Sequence, residues 1–258
     1  MSIQSELTRL RANVLSAVTT QAAILAAIAD KGVTVPPGAT LHDVPGLIGE
    51  IPGMGPGRST VTIGDRAYPT VKIGSQWWMA ENLDYKWDGL NNTFRYDIPS
   101  AVYYDNDETT YGINGYRCGL LYNSHAMDYL ETNKSTMLPF GWRVPALNDI
   151  TILKSYINDS SNDGYKLSMG GLTWSPSWDG SDEYGFGMIP SGQIAWNQAI
   201  NDWLFNSINV QAAFHVIEHN YVINRYNGDG VNNQLRASTI SAEQNYQAGY
   251  SLRLVKNA

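Results

Sequence analysis

His215 and His219 stand four residues apart, the spacing at which two imidazoles share one side of a helix and begin a zinc site. Neither Ile217 nor Asn220 offers a third ligand, so no metal is expected. Asp105, Asp107 and Glu108, with Asn106 among them, could supply oxygen ligands to calcium. Their spacing lacks the EF-hand pattern, and acidic loop residues are ordinarily just hydrated. Cys118 is the only cysteine, which excludes an intramolecular disulfide framework and any multi-cysteine zinc site and leaves it as a small buried hydrophobe. The chain has no Gly-x-Ser-x-Gly elbow and no His-Glu-x-x-His helix, and its four histidines make no recognisable triad. The expectation is a protein without catalytic residues and without a cofactor.

Binding chemistry is a different matter. From Ile194 to Asn245 the chain carries ten asparagines, among them Asn201, Asn232 and Asn233, and Asp229 also lies in this segment. Asparagine is a loop residue, so long polar loops are one reading. The other is a ligand surface, because Tyr, His, Asn and Arg combine stacking area with adaptable hydrogen bonds, as antibody paratopes do. The candidate contacts are His215, Val216, Glu218, His219, Asn220, Tyr221, Asn224, Arg225, Tyr226 and Asn227.

Composition narrows the partner. A net charge of -7 argues against a nucleic-acid backbone, whose binding needs a basic face that releases counterions. Charged residues are only 16% of the chain while Trp (8) and Tyr (16) are abundant, which suits an aromatic-rich, loop-rich fold better than a helical bundle. No stretch of eighteen or more apolar residues runs without polar interruption, so no membrane span is expected. The start, Met-Ser-Ile-Gln-Ser-Glu-Leu, lacks a signal-peptide pattern and a lipoprotein cysteine, which disfavours a secreted cell-surface protein.

The elements that must position these residues read as two parts. Ile3, Leu7, Leu10, Val14, Ala17, Gln21, Ile24 and Ile28 alternate at spacings of four and three, the seam of an oligomeric coiled coil or of an amphipathic helix packed on its own domain. Gln21 is the polar member that can fix register, and Lys31-Gly32 ends the helix. Asp43 can cap a short helix with Pro45 in its first turn. The Gly/Pro run from Pro52 to Gly57 is a linker, which places the domains at 1–57 and 58–258. Beyond it, Val61, Ile63, Val71 and Ile73 alternate as a half-buried hairpin, Asn148 can cap a helix through Asn158 with Ile150, Leu153 and Ile157 inward, and Tyr250 to Val255 alternates as a closing strand. Trp77, Trp78 and Met79 could form a sugar-stacking platform, but they and Trp142 suit a core better; Glu81 and Asn82 read as turn and hydrogen-bonding residues. The fold class is α+β with short strands and few helices.

Several ordered segments carry a resemblance: Tyr68 to Asp84, reading Tyr-Pro-Thr-Val-Lys-Ile-Gly-Ser-Gln-Trp-Trp-Met-Ala-Glu-Asn-Leu-Asp, then Pro139 to Pro145 (Pro-Phe-Gly-Trp-Arg-Val-Pro) and Asp182 to Gly187 (Asp-Glu-Tyr-Gly-Phe-Gly). They resemble the Fibrobacter succinogenes major paralogous domain over roughly Thr60 to Val255, which implies a C-type-lectin-like fold related to the formylglycine-generating enzyme. That enzyme branch uses a cysteine pair, which a lone Cys118 cannot provide. In the family resembled, the stretch after Phe214 usually continues with Trp, Ser and Thr, whereas here it reads His-Val-Ile-Glu-His-Asn. Variable proteins of diversity-generating retroelements use the same fold and carry adenine-mutagenised codons near their C-terminus; mutated asparagine codons yield Tyr, His, Asp, Ser, Ile and Arg. The segment from Val33 to Ile51 resembles the N-terminal attachment region of tail-fibre proteins from gut bacteriophages.

Taken together, these resemblances imply a phage tail-fibre or receptor-binding protein in the virion. It would bind a bacterial surface protein or glycan through C-terminal loops, as a homo-trimer joined to other phage tail proteins. The alternative is a fixed-specificity bacterial surface adhesin or structural protein of the same paralogous family.

Overall fold

The computed structural model describes residues 19–29, 34–35, 37–38, 57–108, 112–113, 116–170, 178–218, 221–226, 233–239 and 247–258. The chain divides into two compact units, Met1–Arg58 and Ser59–Ala258. In the first unit residues 19–29 are helical and include Gln21, Ile24 and Ile28 of the expected seam. The earlier seam positions, the Lys31-Gly32 stop and the short helix expected after Asp43 lie outside the described residues.

The second unit carries short strands before and after a helical middle. In chain order these are β1 (Arg58–Ile63), β2 (Arg66–Ile73), β3 (Gln76–Met79), β4 (Ala101–Val102), β5 (Gly112–Ile113), β6 (Tyr116–Arg117), β7 (Leu121–Tyr122), α1 (Ser124–Thr132), α2 (Lys134–Met137), α3 (Leu147–Ile157), α4 (Asp163–Leu167), β8 (Ser191–Asn197), β9 (Asp202–Ile208), β10 (Gln211–His215), β11 (Tyr221–Tyr226), β12 (Arg236–Thr239), β13 (Ala248–Gly249) and β14 (Val255–Asn257). The larger sheets run in the orders β1-β2-β3-β14, β10-β11-β12 and β13-β8-β9. This is the mixed α+β class, with few helices and antiparallel pairing. No helix among the described residues is long and apolar enough to cross a membrane.

The alternation in the first hairpin does what it should: Val61, Ile63, Val71 and Ile73 are all buried. Trp78, Met79 and Trp142 are core residues, which settles the choice between platform and packing for them, and Cys118 is buried. The chain end returns to its start, with Val255 opposite Trp78 and Asn257 opposite Gln76.

Two local expectations need correcting. The cap of α3 is Ala146, and Asn148 lies exposed inside the helix. Capping falls instead to Asp149, whose carboxylate reaches back to the Ala146 N–H at 2.7 Å; Ile150, Leu153 and Ile157 do face inward. The closing segment is also not one alternating strand, because all of Tyr250 to Val255 is buried and the regular strand starts only at Val255. Arg253 is drawn inside by the partners it meets there.

Those partners come from the signature segments. The Arg253 guanidinium donates to Asn82 Oδ1 at 2.8 Å, to the Gly187 carbonyl at 2.7 Å and to the Phe186 carbonyl, and lies 4.6 Å over the Phe186 ring. Asn82 in turn donates to the Cys118 carbonyl at 2.8 Å and to Ser251 Oγ at 3.1 Å. The Asp-Glu-Tyr-Gly-Phe-Gly turn exists to aim those two carbonyls: Asp182 Oδ1 accepts from the Gly187 N–H at 2.8 Å. Gly187 has φ +67° and its missing Cβ would stand 2.6 Å from the Ala80 carbonyl, so only glycine fits.

A second network joins the Gly-Trp-Arg-Val-Pro segment to the chain start. Arg143 Nη2 donates to Asp149 Oδ1 at 2.8 Å beside its Nη1 contact to Oδ2, Gln76 donates to the same carboxylate at 2.9 Å, and Trp78 Nε1 donates to Gln76 Oε1 at 3.2 Å. Burial alone would raise the Asp149 pKa, but the Arg143 fork, the Ala146 N–H and Gln76 outweigh it and hold the carboxyl below its ordinary value. Because the folded pKa is depressed, Asp149 contributes stability above the unfolded carboxyl pKa of about 3.9, and that contribution is lost as pH falls through the folded value. Thermal melts of Asp149→Asn and the parent chain should therefore differ most above about pH 4 and converge in stronger acid. A gap independent of pH would remove this account.

Candidate functional site

The asparagine-rich segment forms the sheet β10-β11-β12. Its register sets Ala213 opposite Asn224, Phe214 opposite Ile223 and His215 opposite Val222, with Asn224 opposite Arg236 and Val222 opposite Ser238 on the far side. Side chains alternate across a strand, so the segment divides between two faces. Ala212, Phe214 and Ile223 belong to the main core, whereas Ala213 and Val222 pack in a separate small cluster with Ala248 and Tyr250. Asn224 shares the second face, half-buried, and donates to Ser238 Oγ at 3.0 Å. On the outer strand Arg236, Ala237 and Thr239 are exposed.

Three of the expected contact residues are buried. His215 is 1% exposed, with Nε2 at 2.6 Å from the Tyr122 carbonyl and its ring edge-on to Tyr250 at 5.1 Å. A carbonyl only accepts, so Nε2 carries the proton. Val216 is fully buried. Arg225 is 1% exposed, its guanidinium 4.4 Å over the Trp178 ring with a further contact to Asn233 Oδ1 at 3.4 Å. Burial pulls the Arg225 pKa down to about 10 against the opposing pull of Asp179. These three are buried among protein partners, so they brace the sheet and do not present side chains at its surface. Strand parity accounts for Arg225, which faces the main core, whereas His215 lies on the Asn224 face packed against Tyr250; a guanidinium that stacks on an indole can be buried, and the residue type alone does not reveal it.

Glu218 has an unexpected task. Its Oε2 accepts from the Leu147 N–H at 2.8 Å, at the N-terminus of α3, while the Ile217 N–H donates to the Pro145 carbonyl at 2.9 Å. The turn after β10 is thereby tied to the helix start, where a carboxylate is favoured by the unsatisfied N–H groups. Tyr221 stands opposite Thr239 and Tyr226 opposite Gln211 in the sheet. His219, Asn220 and Asn227 lie outside the described residues.

The chain re-entering β12 is clasped as firmly. Asp163 is fully buried; its Oδ1 accepts from the Leu235 N–H at 2.7 Å and the Gly164 N–H at 2.8 Å, and its Oδ2 lies 2.9 Å from Lys154 Nζ. Lys154 also donates to the Leu235 carbonyl, the Tyr165 N–H to the Asn233 carbonyl at 2.9 Å, and Asn233 to Asn162 at 3.2 Å. Gly164 permits this approach, since a Cβ there would meet the 233–235 backbone at 2.8 Å. Sequence reasoning missed Asp163, Ser238 and Arg236. For Asp163 the helix-opening Asn-Asp-Gly was the available signal, but its partner lies 72 residues downstream.

The β10–β12 sheet is thus pinned at its roots by buried charges, and among the described residues it carries the Asn224 amide and the Ser238 hydroxyl. Such groups recognise a ligand by hydrogen bonding. Among the described residues no group of three or more His, Cys, Asp or Glu could hold a metal ion. The family model described as the Fibrobacter succinogenes major domain matches residues 71–256, more than half of the chain. No curated protein and no solved structure matches it.

Proposed function

The chain belongs to the Fibrobacter succinogenes major domain family, and from that premise we propose that it is a receptor-binding protein of a bacteriophage tail fibre, with a C-type-lectin-like domain that binds a bacterial surface ligand. The observation that carries this reading is the β11–β12 ladder, where Asn224 and Ser238 sit on a sheet braced by Arg225, His215 and the Asp163 clasp. A preorganised surface loses little ordering entropy on association. Asn220 and Asn227 border the same strand in sequence, and variation at adenine-rich asparagine codons would change the ligand while the buried residues keep the frame. The N-terminal seam through Gln21, Ile24 and Ile28 supports a trimer, in which three weak sites act with avidity. Binding, with no catalytic step, is the whole activity in this reading.

The test is direct. The full chain with Asn220→Ala, Asn224→Ala and Asn227→Ala combined should lose about 10- to 100-fold in binding to strains that the parent protein coats, since a few contacts dominate most interfaces. Its melting temperature should stay close to the parent's. Unchanged binding would remove the site. Natural gene copies varying only at adenine positions of this segment, beside an invariant template, would favour the diversified protein over a fixed-specificity adhesin.

A further inference from the structure

We infer that the β8–β9 hairpin is a separate carbohydrate platform that takes a neutral oligosaccharide; this does not rest on the role of the β10–β12 face. From Ser191 to Gln211 the chain carries seven amide side chains and a single formal charge, Asp202. An exposed hairpin ordinarily carries lysines and glutamates for solubility, so a surface with almost none selects partners without ion pairs.

Two indoles stand at its centre. Trp196 and Trp203 pair across the strands, with rings 5.3 Å apart at 73°, and Phe94 packs edge-on with Trp203 at 4.6 Å and 69°. Both remain half-exposed, and Ile200 at the turn and Leu204 on β9 are 58% and 41% exposed. Rings fixed in this way stack on a pyranose C–H face without losing rotamer freedom. The polar groups beside them are oriented too. Asn197 Oδ1 accepts from the Ala199 N–H at 2.9 Å, which aims its amide N–H groups outward, and Asp202 Oδ1 accepts from the Trp203 N–H at 2.7 Å, which leaves Oδ2 for a hydroxyl. Stacking faces ringed by amides and one carboxylate are the chemistry that recognises sugar hydroxyls.

The rival occupant of an outer strand is another copy of the chain. Edge pairing needs a regular ladder, and β9 is bent at its end by Ser207 (φ 62°) and Asn209 (φ 66°) opposite Gly192 (φ 70°). Such irregularities block edge-to-edge association.

The experiment is a tryptophan-fluorescence titration of the full chain with cellohexaose, mannohexaose, xylohexaose and chitohexaose. At least one should bind, and Trp203→Ala should weaken it about tenfold, equivalent to about 1.4 kcal/mol. Because Trp203→Ala also leaves Phe94 without its neighbour, Asn197→Ala serves as the second variant, expected to weaken binding several-fold at an unchanged melting temperature. Failure of all four probes at millimolar concentration would overturn the inference, as would binding indifferent to both variants. Concentration-dependent self-association abolished by Leu204→Arg, with no sugar bound, would assign the hairpin to a second copy and overturn it as well.

Discussion

Replacing Arg253 by Met is expected to destabilise the second unit by about 3–5 kcal/mol, a fall of roughly 6–20 °C in melting temperature for a domain of this size. Met fills much of the volume, so cavity formation is a minor part of the loss. The greater part is the stranding of the Phe186 and Gly187 carbonyls and of Asn82 Oδ1, three buried acceptors that this guanidinium serves. Burial pulls the Arg253 pKa down to about 9, with Asp182 and Glu81 opposing, so the group remains charged at neutral pH and its hydrogen bonds are charge-assisted. Arg253→Lys should rescue little, because a single ammonium cannot reproduce a planar fork reaching three acceptors. A calorimetric loss of less than about 1 kcal/mol in either variant would mean that the carbonyls find other donors.

Asp163→Ala should be nearly as severe and more informative about the β10–β12 sheet. It removes the acceptor of the Leu235 and Gly164 N–H groups and leaves Lys154 without its carboxylate, a loss of about 2–4 kcal/mol. Hydrogen exchange should quicken first at Leu235 and through β12, because the clasp fixes the root of that strand. Asp163→Asn keeps an acceptor at the Oδ1 position and should retain part of the stability. Equal protection of β12 in the Ala variant and the parent would show that the strand is held by the sheet alone.

Much of the architecture was legible because it depends on local pattern. The alternation of Val61, Ile63, Val71 and Ile73 and the 3–4 spacing of Ile150, Leu153 and Ile157 both place side chains in the core as read. What failed were residues whose partners are remote in sequence. Arg253 and Arg225 look like surface residues by type, and only the carbonyls of Phe186 and Gly187 or the ring of Trp178 explain their burial. Glu218, read as a ligand contact, has in addition a remote partner that no local pattern shows, an N–H 71 residues earlier. In the β10–β12 stretch composition did not reveal the two faces of the sheet, since Val222 and Ile223 are both apolar and hide the strand parity.

The pairing of β14 with β3, together with the Arg253 to Asn82 contact across 171 residues, bears on synthesis as much as on stability. Contacts this distant in sequence close late, and during translation they cannot form until the segment through β14 has left the ribosome. Every residue of the asparagine-rich segment is therefore made before the unit can close. A copy of the gene that acquires a stop codon or a frameshift anywhere in that segment yields a chain lacking Arg253 and β14, which has no route to the folded state. Only chains read in frame through β14 can make these contacts, so the closure acts as a proofreading step on the sequence that precedes it.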